Sequence, residues 1–225
     1  MTYFYCTGFG KFGNILTNPT SQLVKALPQL LSGHPDNNKF FKLMHNEVVT
    51  VAMADCDESL TNIYRLVEQK HQDADRHIII NFGVAASRGE YSLEVQGKNI
   101  KDFRIPDDKG DQPQNLAIEE GLAQTYVRCS SLKLSETCEV LKQKGHRVGC
   151  SDDAGEYICN YMYYKGLIAC EKLCSQLTSV DGEPGSCPVA ATNIETFFCH
   201  VPAFETIPEP QQQKFVVDLI AALAA

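Results

Sequence analysis

Residues 76–83 read RHIIINFG. Three consecutive isoleucines, followed by asparagine, phenylalanine and glycine, leave no polar alternation of the kind a half-exposed strand shows. A continuous apolar run of this length fits a strand covered on both faces, as in a parallel sheet with helices above and below it. The same rhythm recurs upstream. TYFYCTG (residues 2–8) reads as a buried first strand that stops at Gly8, and the glycine loop GFGKFGN follows. SQLVKALPQLL spaces Leu23, Leu27, Leu30 and Leu31 as one helical face, with Pro28 a flaw expected to bend or shorten the helix. KLMHNEVVTVAM reads as a strand with a break expected at Asn46, and DESLTNIYRLVEQK aligns Leu60, Ile63, Tyr64 and Val67 on a helix.

Downstream, YSLEVQGKN alternates in part and runs into a Pro/Asp/Gly loop, and LAQTYVRCS reads as a strand. SETCEVLKQKG is a short helix with Ser135 as N-cap and Gly145 at its stop. HRVGCS is a strand, SDDAGEYICNYMYYKGL a helix entered through small residues, FFCHVP a strand ended by Pro202, and PQQQKFVVDLIAALAA a terminal helix. Strands alternating with helices predict an α/β fold: one three-layer α/β/α sandwich with a mainly parallel, mixed central sheet, spanning residues 1–225 as a single domain. Residues 175–193, SQLTSVDGEPGSCPVAATN, are rich in Ser, Gly, Pro and Thr and read as a loop excursion.

Composition narrows the function. A net charge of −8 without a Lys/Arg cluster argues against a nucleic-acid groove or an anionic membrane surface. No apolar run approaches the roughly 20 residues of a membrane span. The start, MTYFYCTGFGKFG, shows no basic leader, so a cytoplasmic, reducing location with ten unpaired thiols is expected. There is no CxxC, and Cys170 and Cys174 lack a matching His pair, so no metal and no cofactor are expected.

Gly8, Gly10 and Gly13 have the G-x-G-x-x-G spacing of a dinucleotide site. However, Asn18-Pro19 intervenes before the helix, and Phe9 and Phe12 fill positions where phosphates need bare backbone N–H groups. A flat apolar ligand suits that loop better; plain core packing of the two rings is the alternative. Cys159 poses a similar choice between core filling and a nucleophile near a helix N-terminus, expected at Asp153 or Ala154, where the dipole favours a thiolate. A nucleophile needs a base. Of six histidines, His34, His71 and His77 read as solvated and His45 and His146 lie near strand starts. His200 instead ends an apolar strand, where α/β sheets collect their chemistry. Glu94, in YSLEVQG, is the best orienting carboxylate, with Asp152 and Asp153 next in line.

These stretches together resemble the pyroglutamyl peptidase I family, the pyrrolidone-carboxylate peptidases, which are cysteine exopeptidases. The family's TGFGPFG…NPS is similar to TGFGKFG…NPT here, its glutamate motif to LEVQGKNIKDFRIPD, its cysteine motif S-x-x-AG-x-(Y/F)-x-C to SDDAGEYIC, and its HVP to HVPAF. The four occur in family order. The resemblance implies a phosphorylase/hydrolase-like sandwich that removes N-terminal pyroglutamate from peptides through a thioester. It implies Cys159 as nucleophile, His200 as base and Glu94 as the group orienting His200. Phe9 and Phe12 correspond to the aromatic pair around the pyrrolidone ring, Arg104 to an arginine near the reacting carbonyl, and Tyr157 and Ile158 to pocket positions. It further implies peptide substrates, a cytoplasmic metal-free enzyme and, as in some members, a homo-oligomer. Lys11 replaces a proline, VQGKN departs from the commoner pattern after the glutamate, and Cys159 and His200 lie further apart than is usual. Two other classes stay open: a non-catalytic binder of blocked N-termini, and a nucleoside-phosphorylase-like transferase.

Overall fold

The computed structural model describes residues 1–13, 17–71, 75–178 and 193–225. In chain order the elements are β1 (Thr2–Phe9), α1 (Pro19–Ser32), β2 (Phe41–Val49), α2 (Met53–Lys70), β3 (Arg76–Val84), β4 (Tyr91–Glu94) and β5 (Gln96–Lys98). They continue with β6 (Val127–Cys129), α3 (Leu134–Gln143), β7 (Val148–Ser151), α4 (Ile158–Thr178), β8 (Ile194–Val201) and α5 (Glu209–Ala224). The isoleucine run lies in β3, buried from His77 to Gly83.

Six strands form one sheet in the order β2-β1-β3-β8-β4-β7. The first four run parallel; β4 is antiparallel to β8 and carries β7 parallel to itself, so the sheet is mixed. β5 and β6 pair separately. Helices α2 and α4 pack together on one face of the main sheet, and α1, α3 and α5 on the other. This is the three-layer α/β/α sandwich the element order predicts.

Pro28 neither bends α1 to an end nor shortens it; the helix runs on to Ser32. Pro28 has no N–H for the carbonyl of Val24, one turn back. The Asn46 side chain on β2 donates to that carbonyl at 3.1 Å. The predicted break at Asn46 is therefore an anchor to α1. The irregularity in β2 falls earlier, where the register with β1 skips Met44.

Other expectations need correction. Ser135 does not cap α3: the helix starts at Leu134, and its N-cap, Lys133, supplies no side-chain bond. Gly145 does take a positive φ of 88° just past the end of α3. The LAQTYVRCS strand shrinks to Val127–Cys129, because the residues before it turn back to bind Asn99. His77 is fully buried, with its Nδ1 bonded to the Tyr5 hydroxyl at 3.1 Å, and is not solvated. The loop excursion placed at 175–193 does not begin at Ser175, since α4 continues to Thr178; residues 179–192 lie outside the described residues.

The glycine loop is tied down by its neighbours. Asn18 caps α1 by accepting from Thr20 N at 3.1 Å, and its amide donates to the Gly10 carbonyl at 2.9 Å. Thr20 Oγ1 accepts from Phe9 N at 2.9 Å. A Cβ on Gly8 would stand 2.5 Å from the Thr20 carbonyl oxygen, so glycine is what lets α1 close on β1 here. The side chains of the Asn-Pro-Thr step are thus spent on holding the loop.

Helix α2 receives its cap from far along the chain. Ala52 at its N-cap offers no side-chain acceptor, and Asp107 Oδ2 accepts from Met53 N at 2.9 Å instead. Asp107 Oδ1 also takes Lys109 N and Asp111 N, which folds the RIPDDKG loop onto α2. Asp107→Ala is expected to cost about 1–3 kcal/mol, since it removes a cap and leaves backbone donors in a mostly buried place unpaired. Urea unfolding checks this; a variant with the parental midpoint would show that water replaces the cap.

Candidate active site

Helix α4 begins at Ile158, later than the Asp153–Ala154 start expected, and this puts Cys159 at its second position, within the first turn. The approach from β7 is a turn held by its own polar groups. Asp153 N donates to Ser151 Oγ at 3.2 Å, and Gly155 N donates to Asp153 Oδ1 at 3.0 Å, with Gly155 at φ +83°. The next residue after the cysteine, Asn160, is fully buried. Its Oδ1 accepts from Lys98 N, and its amide donates to the carbonyls of Lys98 and Ile100 at 2.8–2.9 Å. That clamp locks the start of α4 against β5.

Below Cys159 lies the sheet face shared by β3, β8 and β4. Gly83 pairs with His200 in register, and Ser92 pairs with His200 from the other side. A Cβ on Gly83 would stand 3.0 Å from Cys159 Sγ and 2.6 Å from the Phe198 ring. The sulfur therefore occupies space that only a glycine leaves open, over the strand beside His200. The Phe198 and His200 rings lie 4.8 Å apart.

His200 is the penultimate residue of β8 and is 5% exposed, while Glu94 is fully buried at the end of β4. In the antiparallel pairing Glu94 stands opposite Phe198, two residues before His200, so both side chains project from one face. The result is a diagonal hydrogen bond of 2.7 Å between His200 Nδ1 and Glu94 Oε1. An ionised Glu94 accepts there, so Nδ1 carries the proton and Nε2 is left with its lone pair. Glu94 Oε1 also accepts from Arg88 Nη1 at 2.6 Å.

The thiol is not a standing thiolate. Burial, foremost, and then the Glu94 carboxylate push the Cys159 pKa up to about 12, against a smaller lowering from Arg88 and from its own backbone N–H. Desolvation here outweighs the helix N-terminus invoked from the sequence, so the arrangement needs a base to take the proton as the sulfur reacts.

The remaining expected residues surround this centre unevenly. Phe9 is 3% exposed and packs 6.4 Å from the Phe198 ring, on the sheet side of Cys159. Phe12 is half-buried and faces Tyr157 at 6.3 Å, on the approach to α4. Ile158 is 1% exposed and belongs to the core. Tyr157 meets Phe103 edge-on at 4.7 Å, and its hydroxyl donates to the Pro106 carbonyl. Arg104 is exposed on that same loop, with its charge felt at Tyr157. Asp152 and Asp153 are exposed, and the Asp153 carboxylate is taken by Lys98 at 2.9 Å, while His200 bonds Glu94. Sequence reading missed Arg88, Gly83 and Asn160. Only the glycine carries a local signal, at the end of an apolar run.

Among the described residues no helix is long and apolar enough to cross a membrane. A family model described as pyroglutamyl peptidase matches residues 3–179. That span includes Glu94 and Cys159 and ends before the strand of His200. The pyrrolidone-carboxylate peptidase of Brevibacillus brevis is 32% identical over 158 residues, 70% of this chain and 66% of its own. That of Thermococcus litoralis is 27% identical over 196 residues, 87% of this chain and 74% of its own. The match thus spans about two thirds of the length of the first of these relatives. In fold, the crystal structure of Bacillus amyloliquefaciens pyroglutamyl peptidase I aligns over 99% of this chain and 96% of its own, with a TM-score of 0.72 and 22% identity. The Thermococcus litoralis pyrrolidone carboxyl peptidase gives 0.74 and 23% over 99% and 93%.

Proposed function

Since the chain belongs to the pyroglutamyl peptidase family, we propose that it is a cysteine exopeptidase that removes N-terminal pyroglutamate from peptides, with Cys159, His200 and Glu94 as its reacting set. The observation that carries this reading is the buried bond from His200 Nδ1 to Glu94, which leaves Nε2 as a base on the same sheet face over which the Cys159 sulfur sits. His200 takes the thiol proton as Sγ attacks the acyl carbonyl. It returns that proton to the departing amine, and a thioester remains. Water, deprotonated by His200, then hydrolyses the thioester and frees pyroglutamate and the thiol. Backbone N–H groups in the first turn of α4 suit the oxyanion, and Arg104, exposed in the loop beside Tyr157, is the side chain that could assist them.

The test is hydrolysis of a chromogenic pyroglutamyl amide by the purified protein. No cleavage would leave the binder reading; cleavage that depends on phosphate would revive the transferase. That second outcome is disfavoured because Asn18 and Thr20, the polar groups beside the glycine loop, are already bonded to the loop itself.

Turnover is expected to rise from acid to mildly alkaline pH. Burial holds the thiol protonated, so attack requires its proton to pass to His200, and raising pH raises the fraction of the Cys159/His200 pair that has lost a proton and can react. The apparent pKa belongs to the Cys159/His200 pair. A rate that falls across that range would contradict a thiol nucleophile.

Pyroglutamate is a flat, uncharged lactam, and Phe9 packs beside Phe198 while Phe12 faces Tyr157, two residues before Cys159. Phe12→Ala is expected to weaken selection of pyroglutamyl substrates by about 1–3 kcal/mol in kcat/KM through lost aromatic contact. Phe12 is the cleaner probe, because Phe9 is core and its truncation adds roughly 3–5 kcal/mol of fold cost. Peptides with a charged N-terminus should be refused, since the ammonium would be desolvated without a partner. Efficient release of N-terminal alanine would point to a general aminopeptidase.

A further inference from the structure

Arg88 sits in the turn between β3 and β4, its own N–H bonded to the Ala85 carbonyl at 2.9 Å. Its guanidinium makes two charge-assisted bonds in different directions. Nη1 donates to Glu94 Oε1 at 2.6 Å, the same oxygen that faces His200 Nδ1. Nη2 donates to the Asp153 carbonyl at 2.6 Å. That carbonyl belongs to the turn that delivers the chain from β7 into α4 and so sets where Cys159 begins its helix. One planar group therefore spans the carboxylate behind the base and the backbone ahead of the nucleophile. These two segments are far apart in sequence. They also meet through the sheet and through Gln96 Nε2 on the Asp152 carbonyl and Lys98 Nζ on the Asp153 carboxylate, but neither of those side chains bonds the Glu94 carboxylate.

We propose that Arg88 is a positioning residue for this reaction, holding Glu94 behind His200 and the Asp153 turn before Cys159 so that base and sulfur stay in register. The proposal rests on the function argued above. A surface ion pair would not require this geometry: Glu94 is fully buried, and among the described residues its Oε2 has no hydrogen-bond partner, so there the carboxylate is oriented through Oε1. Arg88 and His200 share that one oxygen. Removing either lets the carboxylate rotate about the other. The charge works in the same sense, since Glu94 raises and Arg88 lowers the Cys159 thiol, so the guanidinium offsets the carboxylate at the sulfur. Lysine could supply the charge, but its three donors radiate from one nitrogen and do not reproduce the two separate nitrogens with which Arg88 meets both acceptors. The charged and titratable groups around Arg88 include Glu94, His200 and Cys159 on the inside and Asp153, with its partner Lys98, at the turn. On the outer side lies a cleft of about 680 Å³ that Arg88 lines with Glu90, Arg147, His146 and Lys142.

Arg88→Ala and Arg88→Lys in the full chain test this. In Arg88→Ala, kcat on the pyroglutamyl amide is expected to fall by about 10–100-fold, the range for groups that orient a reacting residue. KM should stay within about threefold, because Arg88 is not placed against the ring pocket. Arg88→Lys should recover only part of the loss. Added guanidinium at millimolar level should raise the kcat of Arg88→Ala, entering by the cleft, without raising its thermal midpoint. A kcat within about twofold of the parent, or a loss that follows only the folded fraction, overturns the proposal. If Arg88→Ala does not fold, Arg88→Gln replaces it with the same criteria. If the parent protein itself fails to cleave the substrate, the proposed function falls, and Arg88 is judged on alkylation of Cys159 by iodoacetamide, followed in the Cys159 peptide by mass. Exposed Cys129, away from the cleft that Arg88 lines, serves as internal reference. Slower labelling of Cys159 alone in Arg88→Ala supports the positioning role, and an unchanged rate overturns it.

Discussion

Cys159→Ala is expected to reduce turnover of a pyroglutamyl amide roughly a million-fold, as loss of a covalent nucleophile does, while the protein stays folded. The fold survives because little is removed. Cys159 is only partly buried, at the second position of α4, and the start of that helix is held by other groups: Asn160 on β5 and the Ser151–Gly155 turn. Losing one sulfur against Gly83 and Phe198 should cost on the order of 1 kcal/mol. Turnover and thermal midpoint, measured on one preparation, separate the two effects. Parental activity in Cys159→Ala would remove the thioester mechanism altogether. Counting alkylated thiols would not be a substitute for this variant. Cys129 and Cys150 are exposed and will label whether or not the site is intact, so selective labelling of Cys159 over all other thiols is not the expectation the structure supports.

The parts of this molecule visible in its sequence are those encoded by short-range patterns. The RHIIINFG run identifies a doubly covered strand because burial on both faces leaves no polar position. The alternation of elements then follows, as do the positions of Cys159 at a helix start and His200 at a strand end. What the sequence hid depends on partners distant in the chain. Pro28 looks like a helix defect until Asn46 is seen to bond the carbonyl it orphans. Helix α2 has no local cap because Asp107 reaches it from a loop more than fifty residues on. Glu94 is identifiable as a carboxylate in an apolar stretch, but its bond to His200 comes from β4 running antiparallel to β8, which no local pattern specifies. Arg88, in a polar turn, carries no periodic signal at all. The thiol is the instructive case. Proximity to a helix N-terminus suggested a stabilised anion, whereas the surrounding core supplies a larger desolvation that no linear motif displays.

Glu94→Gln is the second large effect expected, and it isolates charge from shape. Glutamine keeps the size of the side chain, and its carbonyl oxygen can stand where Glu94 Oε1 stands, still accepting from His200 Nδ1 and Arg88 Nη1. Its amide nitrogen then falls at the position of Oε2, which has no partner among the described residues, so a buried donor goes unpaired at a cost of about 1–3 kcal/mol. The alternative rotamer relieves nothing: the NH2 would face a guanidinium, and His200 would have to turn its lone pair to Nδ1, leaving a proton on the nitrogen meant to act as base. In either arrangement the negative charge that stabilises the imidazolium formed during attack is gone, and the Arg88 guanidinium loses its counter-charge. We therefore expect kcat to fall by about 10²–10⁴-fold, the scale of general acid–base catalysis, with KM changing far less because Glu94 is buried behind His200. Wild-type turnover in Glu94→Gln would move the orienting role elsewhere, and the structure makes that transfer hard to accommodate. Asp152 and Asp153 are exposed, and the Asp153 carboxylate is engaged by Lys98 and the Gly155 N–H, whereas Glu94 bonds the His200 ring directly.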